Sequence, residues 1–269
     1  ARLLTLEASL STRLFERTTR QLRLTDEGRL YLQHCRQALQ ALDDARAALS
    51  AEKKEIRGKV RISATSDFGR HVLNPWLDAF TALYPQVVPA LLLSDSLSHL
   101  IADEVDLVIR FGVPPDSSLI ARPLAANRRV LCAAPGYLQR KGTPKHPDQL
   151  ADFDHIVAGQ AGWSSEWRLQ RGEEVMLFKV PMEAARETND GSLARQWAID
   201  GHGIALKSIW DVSADLAAGR LSLVMPDWQT AEAPVHALYP RSRYLAPRVR
   251  ALLDFLGERF EQASRDMAV

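Results

Sequence analysis

Apolar positions follow three different rhythms along this chain. Leu3, Leu6 and Leu10 recur three and four residues apart with Glu7 between them, which predicts that the sequence opens inside a helix. Leu14-Phe15 and the alternating Leu22-Arg23-Leu24 then flank the polar Arg17-Thr18-Thr19-Arg20, the pattern of two short strands with a polar tip. A long helical rhythm follows. Thr25 is suited to the N-cap, and Asp26 and Glu27 place negative charge in the first turn, against the positive end of the helix dipole. Tyr31, Cys35, Ala38, Leu42, Ala45 and Leu49 are spaced alternately by four and three residues, which is a heptad seam. Leu32 and Leu39 add a second apolar strip. One amphipathic helix lying on its own domain would use one strip; two strips predict a partner helix as well, and hence a helix-mediated dimer.

After Glu52-Lys53-Lys54-Glu55 and Gly58 the pattern changes to alternating β and α segments. Val60, Ile62 and Ala64 alternate with Arg61 and Ser63 as in a strand, and Thr65-Ser66-Asp67-Phe68 leads into a helical stripe through Val72, Leu73, Trp76, Leu77 and Phe80. Further strands are predicted over 88–93, 105–109, 128–133 and 155–157, a short helix at Leu97 to Ile101, and a parallel β/α sheet from the first of these strands. Trp167 to Leu169 and Val175 to Val180 read as a hairpin around Arg171-Gly172-Glu173-Glu174. Thr188-Asn189-Asp190-Gly191 opens a second helix that closes at Gly201-His202-Gly203 before the strand Ile204-Ala205-Leu206. Val235 to Tyr239 is a last strand, and Val249, Leu252, Leu253, Leu256 and Phe260 mark a last helix that returns to the first lobe. Two α/β lobes with a cleft between them fit this order.

Composition narrows the possibilities. The chain has 269 residues, 46% hydrophobic and 25% charged, enough for a substantial core and about two domains. There is no apolar run long enough for a bilayer and no signal-peptide core after Ala1-Arg2-Leu3-Leu4, so a cytoplasmic protein without membrane contact is expected. Cys35 and Cys132 are far apart, on helical and strand patterns, and are expected to be buried free thiols. Net charge is only +1, so any nucleic-acid role must rest on a local patch. Arg13, Arg17, Arg20 and Arg23 against Glu16 form one, on and beside the polar tip, where guanidinium and hydroxyl groups can hold phosphates.

Candidate ligand chemistry sits at the strand ends. The helix starts at Thr65-Ser66-Asp67-Phe68 and at Asn189-Asp190 leave amides pointing outward and suit a small anion. Ser94, Arg110, Gly112, His202 and Gly203 are expected on neighbouring strand ends, and Trp163 as an aromatic wall of the cleft; Trp167 is expected in the core. Arg110 could fork onto a carboxylate or make a surface ion pair. Asp67 and Asp190 would repel an anion if they pointed inward, but not if they capped their own helices. Ser63, Ser66 and the seven histidines form no nucleophile elbow, His34 and His99 sit in polar surroundings, and there is no phosphate loop or metal-ligand motif, so no enzyme, cofactor or metal is expected. A solute-binding protein would share the two lobes but needs neither a heptad helix nor an Arg-rich wing, and would carry an export signal.

Leu6-Glu7-Ala8, the run from Arg13 to Arg20, and Leu22-Arg23-Leu24-Thr25-Asp26-Glu27-Gly28 resemble the end of the recognition helix, the wing and the start of the linker helix of the LysR-type transcriptional regulators. Asp106 to Gly112, Val130 to Leu138, Asn189-Asp190-Gly191 and Gly201-His202-Gly203-Ile204-Ala205 are similar to the sensor domain of that family. The resemblance implies a partial winged helix-turn-helix over residues 1–24, a dimerising linker helix over 25–57, and a two-lobed effector domain like the periplasmic binding proteins over 58–269. Lobe one would take about 58–130 and 235–269, and lobe two about 131–234. It implies a double-stranded DNA operator contacted by Arg2, Arg13, Arg17, Thr18, Thr19 and Arg20, a small-molecule effector, and a homodimer or homotetramer. The family's positioning helix does not precede Ala1, so this stretch by itself is expected to bind DNA weakly and with strong salt dependence.

Overall fold

A computed structural model describes residues 2–17, 22–49, 56–95, 105–112, 119–159, 166–241 and 245–267. The chain divides into two compact units, one up to residue 55 and one from residue 56.

The first unit runs α1 (Arg2–Leu10), β1 (Phe15–Arg17), β2 (Leu22–Leu24) and α2 (Asp26–Leu49). Phe15 pairs with Leu24 and Arg17 with Leu22 in an antiparallel hairpin. The wing is fastened to both helices by polar side chains. Glu7 of α1 accepts the amides of Leu14 (2.8 Å) and Phe15 (3.0 Å) on one carboxylate oxygen. Thr25 caps α2 as its sequence position suggests: its hydroxyl accepts the Gly28 amide at 2.9 Å and donates to the Arg13 carbonyl at 2.8 Å. Gly28 is required by the close approach that results, because a Cβ there would lie 2.0 Å from the Leu14 carbonyl oxygen. Along α2, Tyr31 and Cys35 are half-buried and Ala38 and Leu42 exposed, with Leu30 and Leu39 also exposed. Cys35 is thus less enclosed than its sequence position suggested. The side chains of Ala45 and Leu49 lie outside the described residues, as do Thr18, Thr19, Arg20 and the side chain of Arg17.

The second unit holds two mixed sheets. In the first, β3 (Gly58–Ala64) runs parallel to β4 (Val87–Leu93) and β5 (Leu107–Phe111), while β14 (Val235–Pro240) lies antiparallel between β5 and β6 (Leu119–Ala125). The purely parallel sheet expected from the early strands is therefore mixed, because β14 arrives from near the end of the chain. Val60, Ile62 and Ala64 of β3 are fully buried against Leu252, Leu256 and Phe260 of α8 (Pro247–Met267), whose apolar stripe closes this lobe. Each such side chain contributes roughly 1.5–3 kcal/mol by leaving water.

The second sheet has the order β11 (Arg186–Thr188), β8 (His155–Ala158), β12 (Ile204–Ser208), β7 (Arg129–Ala133) and β13 (Ser222–Val224). Helices α5 (Pro135–Lys141), α6 (Gly191–Ile199) and α7 (Ile209–Ala217) and the hairpin β9 (Glu166–Arg171)–β10 (Glu174–Lys179) cover it, with Trp167 in its core. Cys132 is fully buried in β7, and burial pushes its thiol up to about 12. The chain crosses between the lobes twice, before β7 and after β13, and the two crossings are tied together. Buried Asn127 donates to the Ala233 carbonyl (2.8 Å) and accepts the Ser208 hydroxyl (2.7 Å), while the Ala233 amide returns a bond to the Asn127 carbonyl (2.9 Å). Trp210 of α7 reaches back into the first lobe's core, its ring centroid 4.9 Å from Phe260.

The Gly28 contact yields a test. Gly28→Ala should cost about 1–3 kcal/mol through overpacking of the wing against α2, read as faster amide exchange of Leu14, Thr25 and the first turn of α2. Unchanged exchange there would show that the wing is not held by this approach.

Candidate ligand-binding site

Two helix starts from the two lobes meet across the cleft. Strand β3 ends at Ala64, and the chain turns at Thr65 into helical backbone running without a break through α3 (Ser66–Phe68), a π turn (Gly69–Leu73) and α4 (Asn74–Leu83). In the other lobe β11 ends at Thr188 and α6 starts at Gly191, with Asp190 as N-cap. Between the two starts lies one carboxylate, that of Asp95, just past the end of β4. It accepts the Ser66 amide at 2.7 Å and the Ser66 hydroxyl at 2.6 Å from one lobe, and the Gly191 amide at 2.9 Å from the other. The Thr65 hydroxyl, half-buried beside this group, makes no hydrogen bond among the described residues. Ser94 continues β4 by donating its amide to the Ala64 carbonyl at 3.0 Å.

Arg110 on β5 is only 7% exposed. It donates to the Ser63 hydroxyl (2.9 Å) and to the Ile109 carbonyl (2.9 Å), its Nε has no partner, and among the described residues no carboxylate lies within ion-pair distance. Burial lowers its pKa to about 10, and the charge of Asp95 opposes that shift. The surface ion pair is not present among the described residues; the guanidinium is buried and held by neutral groups.

The lobes are locked below this point by charge. Asp67, 1% exposed, does not cap its helix but lies 2.5 Å from the Lys207 ammonium of β12, which also stands 3.3 Å from Asp211 and donates to the Gly191 carbonyl at 2.8 Å. Arg195 (3.9 Å) and the His71 ring (3.7 Å) also face Asp67, while Arg195 itself is taken by fully buried Asp215 at 2.5 Å. One ammonium thus serves two buried carboxylates. Burial is the main reason that Asp67 is raised to about 7, with Lys207 opposing and Asp211 reinforcing the shift. Burial alone would lower Lys207, but Asp211 and Asp67 hold it above its usual value. On the rim, Arg70 bridges to both oxygens of Asp190 at 3.2 Å and the His71 ring meets the Ser192 hydroxyl at 3.2 Å. Asp190 accepts the amides of Ser192 (2.8 Å) and Leu193 (3.3 Å). Burial would raise its pKa, but the Ser66 hydroxyl, the Ser192 amide and Arg70 bring it below the usual carboxylate range.

The expected site residues divide accordingly. Thr65, Ser66, Ser94 and Asp190 come together, Arg110 and Gly112 lie at the matching end of β5, and Asn189 is exposed at the rim. Phe68 does not face the cleft: it is fully buried, stacked on Phe260 at 5.7 Å and edge-on to Phe111 at 5.4 Å. His202 and Gly203 are misplaced as well. They precede β12, whose first residue pairs with His155 at the start of β8, whereas α6 opens beyond Thr188, which pairs with Ala158 at the other end. His202 instead lines a separate cavity of about 520 Å³ with Tyr137, Arg140 and Arg186, and Gly203 packs on the Asp154 backbone. Trp163, His99 and the short helix expected over 97–101 lie outside the described residues. Asp95, Lys207 and Asn127 were not singled out from the sequence; a lysine inside the apolar strand Ile204-Ala205-Leu206-Lys207 is a signal that could have found one of them.

Two lobes joined by two crossings and closed on a carboxylate define a ligand-binding domain of the two-lobed, periplasmic-binding-protein-like class. The family model of the LysR substrate binding domain matches residues 53–261. The regulator DmlR of Escherichia coli is 34% identical over 262 residues, 97% of this chain and 84% of that protein, and the activator TtdR of the same organism is 31% identical over 252 residues, 93% and 80%. Among solved structures, CrgA of Neisseria meningitidis, a LysR-type transcriptional regulator, superposes with a TM-score of 0.70 at 29% identity, covering 96% of this chain and 87% of that one. Full-length AphB of Vibrio cholerae gives 0.65 at 28% identity over 95% and 87%. The chain belongs to the LysR-type family of DNA-binding transcriptional regulators and is not an enzyme.

The burial of the Asp67 carboxyl makes the stability depend on pH. Since the native pKa of Asp67, about 7, lies above its ordinary value of 3.8, its contribution to stability is complete below the lower value and is lost as pH rises to the upper one. At about 1.4 kcal/mol per unit, the loss from pH 4 to 7 should be a few kcal/mol at most. Denaturant unfolding of the wild type and of Asp67→Asn across this range should show a shallower slope in the variant; parallel curves would reject this origin.

Proposed function

We propose that the two-lobed domain senses a small anionic metabolite bearing a carboxylate, held between Thr65-Ser66 and the start of α6. The observation that carries this is the convergence of Ser66 and Gly191 donors, one from each lobe, on a single carboxylate. A carboxylate bonded by both lobes stabilises one relative orientation of the two, and a ligand shifts such an equilibrium only through this kind of differential contact. In this reading Arg110, Ser94 and Gly112 serve the ligand from the first lobe, and Asn189 and Asp190 from the second.

The output is a change in how a homodimer presents its wings to an operator in the cytoplasm. What supports the dimer is α2, whose Leu39 and Leu42 are 62% and 57% exposed in the single chain on the strips that the heptad spacing marks. Exposed Arg2 and Arg13, with Arg17, Thr18, Thr19 and Arg20 of the wing, would hold phosphates, which set position and salt dependence and leave sequence reading to base contacts.

Two experiments test this. In a thermal-shift series, small carboxylic acids that carry a second acceptor group should stabilise the chain where matched polyols and amines do not. Thr65→Val and Ser66→Ala should then each cost about 1 kcal/mol of affinity, roughly five-fold, with folding intact. Affinities unchanged from wild type in both variants would move the site elsewhere. For the dimer, Leu42→Glu puts a charge into the seam at a cost of several kcal/mol if unpaired, and light scattering should show a smaller mass. An unchanged mass would remove α2 as the interface.

A further inference from the structure

We propose that the Asp95 carboxylate is a built-in occupant of the effector's anion subsite, a tethered stand-in that the effector's own carboxylate displaces. This rests on the anion-site reading above and adds what fills the site without effector and what an effector must carry to enter it. Three donors from two lobes are all spent on this one side chain, at 2.6 to 2.9 Å, and among the described residues Asp95 has no ion pair that would otherwise explain its position. Its two oxygens receive what a free carboxylate would receive: a paired grip from the Ser66 amide and hydroxyl, and the Gly191 amide from across the cleft.

A second, independent feature points to a ligand. Arg110 is more than nine-tenths buried, its Nε is without a partner, and Asp95 is the charge that acts on it without reaching it. A buried guanidinium left in this state is costly, and a ligand that supplies an acceptor there relieves the cost. A tethered competitor acts at high effective concentration, so a bare carboxylate gains little by replacing Asp95. A carboxylic acid with a second acceptor group for Arg110 gains both interactions. Asp95 therefore selects against simple carboxylates, and discrimination by a built-in competitor is as effective as discrimination by added contacts.

The test uses the full chain and calorimetric titration with sodium formate at constant ionic strength, with chloride as control. Asp95→Ala deletes the carboxylate and leaves its space, which formate fits; Asp95→Gly with acetate is the second pair, restoring the whole side chain. Each variant should bind its anion saturably and at least ten-fold more tightly than wild type does. Adding Ser66→Ala should abolish the gain. Asp95→Asn, which keeps the space filled, should remain folded and show no gain. If wild type binds formate as tightly as Asp95→Ala and Ser66→Ala weakens both equally, the anion site stands and the stand-in is overturned. If neither anion binds either folded variant, the stand-in is likewise overturned, while the thermal-shift series with larger carboxylates decides the cleft separately.

Discussion

The geometry of the cleft depends on one buried ammonium. Lys207 stands in the middle of β12, almost without solvent, and holds Asp67 of the first lobe, Asp211 of the second and the carbonyl of Gly191. Burying a cation is expensive, and its pairing does not guarantee a net gain in stability. What the pairing does fix is position. Removing Lys207 would leave Asp67 and Asp211 facing each other without their ammonium, and Asp67 with only the more distant Arg195 and His71, a substantial penalty. The first turn of the first-lobe helix and the first turn of α6 are therefore held to the same point. The Gly191 amide can face Asp95 because the Gly191 carbonyl is held from behind, and a Cβ at that position would press on the ammonium at 3.3 Å.

Apolar packing carries the same constraint to the hinge. Trp210 lies three residues beyond Lys207 and inserts its ring among Trp76 and Phe260 of the first lobe, while its indole nitrogen donates to the Ala126 carbonyl at 3.0 Å. Ser208, between them, caps α7 and donates to Asn127 at the crossing. A continuous stretch, Lys207 to Trp210, thus meets the cleft at one end and the hinge at the other. A change in lobe orientation has to pass through both, which gives ligand occupancy a physical route to the crossings.

Much of this architecture was legible because it is local. The strands of the wing, the Thr25 cap and the span of α2 follow from spacings of a few residues, and the helix starts at Ser66 and Gly191 from strand-to-helix turns. Three strands escaped notice for the same kind of reason: β11 and β13 have three residues each, and β6 is interrupted by Arg122-Pro123. The side-chain partners at the cleft were not legible, since Asp95 and Gly191 are 96 residues apart and Lys207 and Asp67 are 140 apart in number. Phe68 was misassigned because proximity in sequence to the turn says nothing of which way the helix faces, and it faces the aromatic core. His202 fell to a rule applied at the wrong end: ligand crevices lie beyond strand C-termini, and His202 precedes its strand.

Two acidic residues beside the proposed anion site looked contradictory in the sequence, and their side chains turn in two different directions. Asp190 turns onto the amides of Ser192 and Leu193 and meets Arg70 on its outer side, so its charge is spent on its own helix and on a cation. Asp67 turns inward to Lys207, away from the amides at the start of its helix. Neither carboxylate competes for the Ser66 and Gly191 amides, which stay directed into the cleft. Among the described residues the acidic group that does take them is Asp95, which arrives from a different strand and is not part of either helix. A repulsive acid at this position would have no reason to sit at 2.6 to 2.9 Å from three donors. Asp67 and Asp190 therefore tie the two helix starts together, and Asp95 alone of the three faces the donors at both.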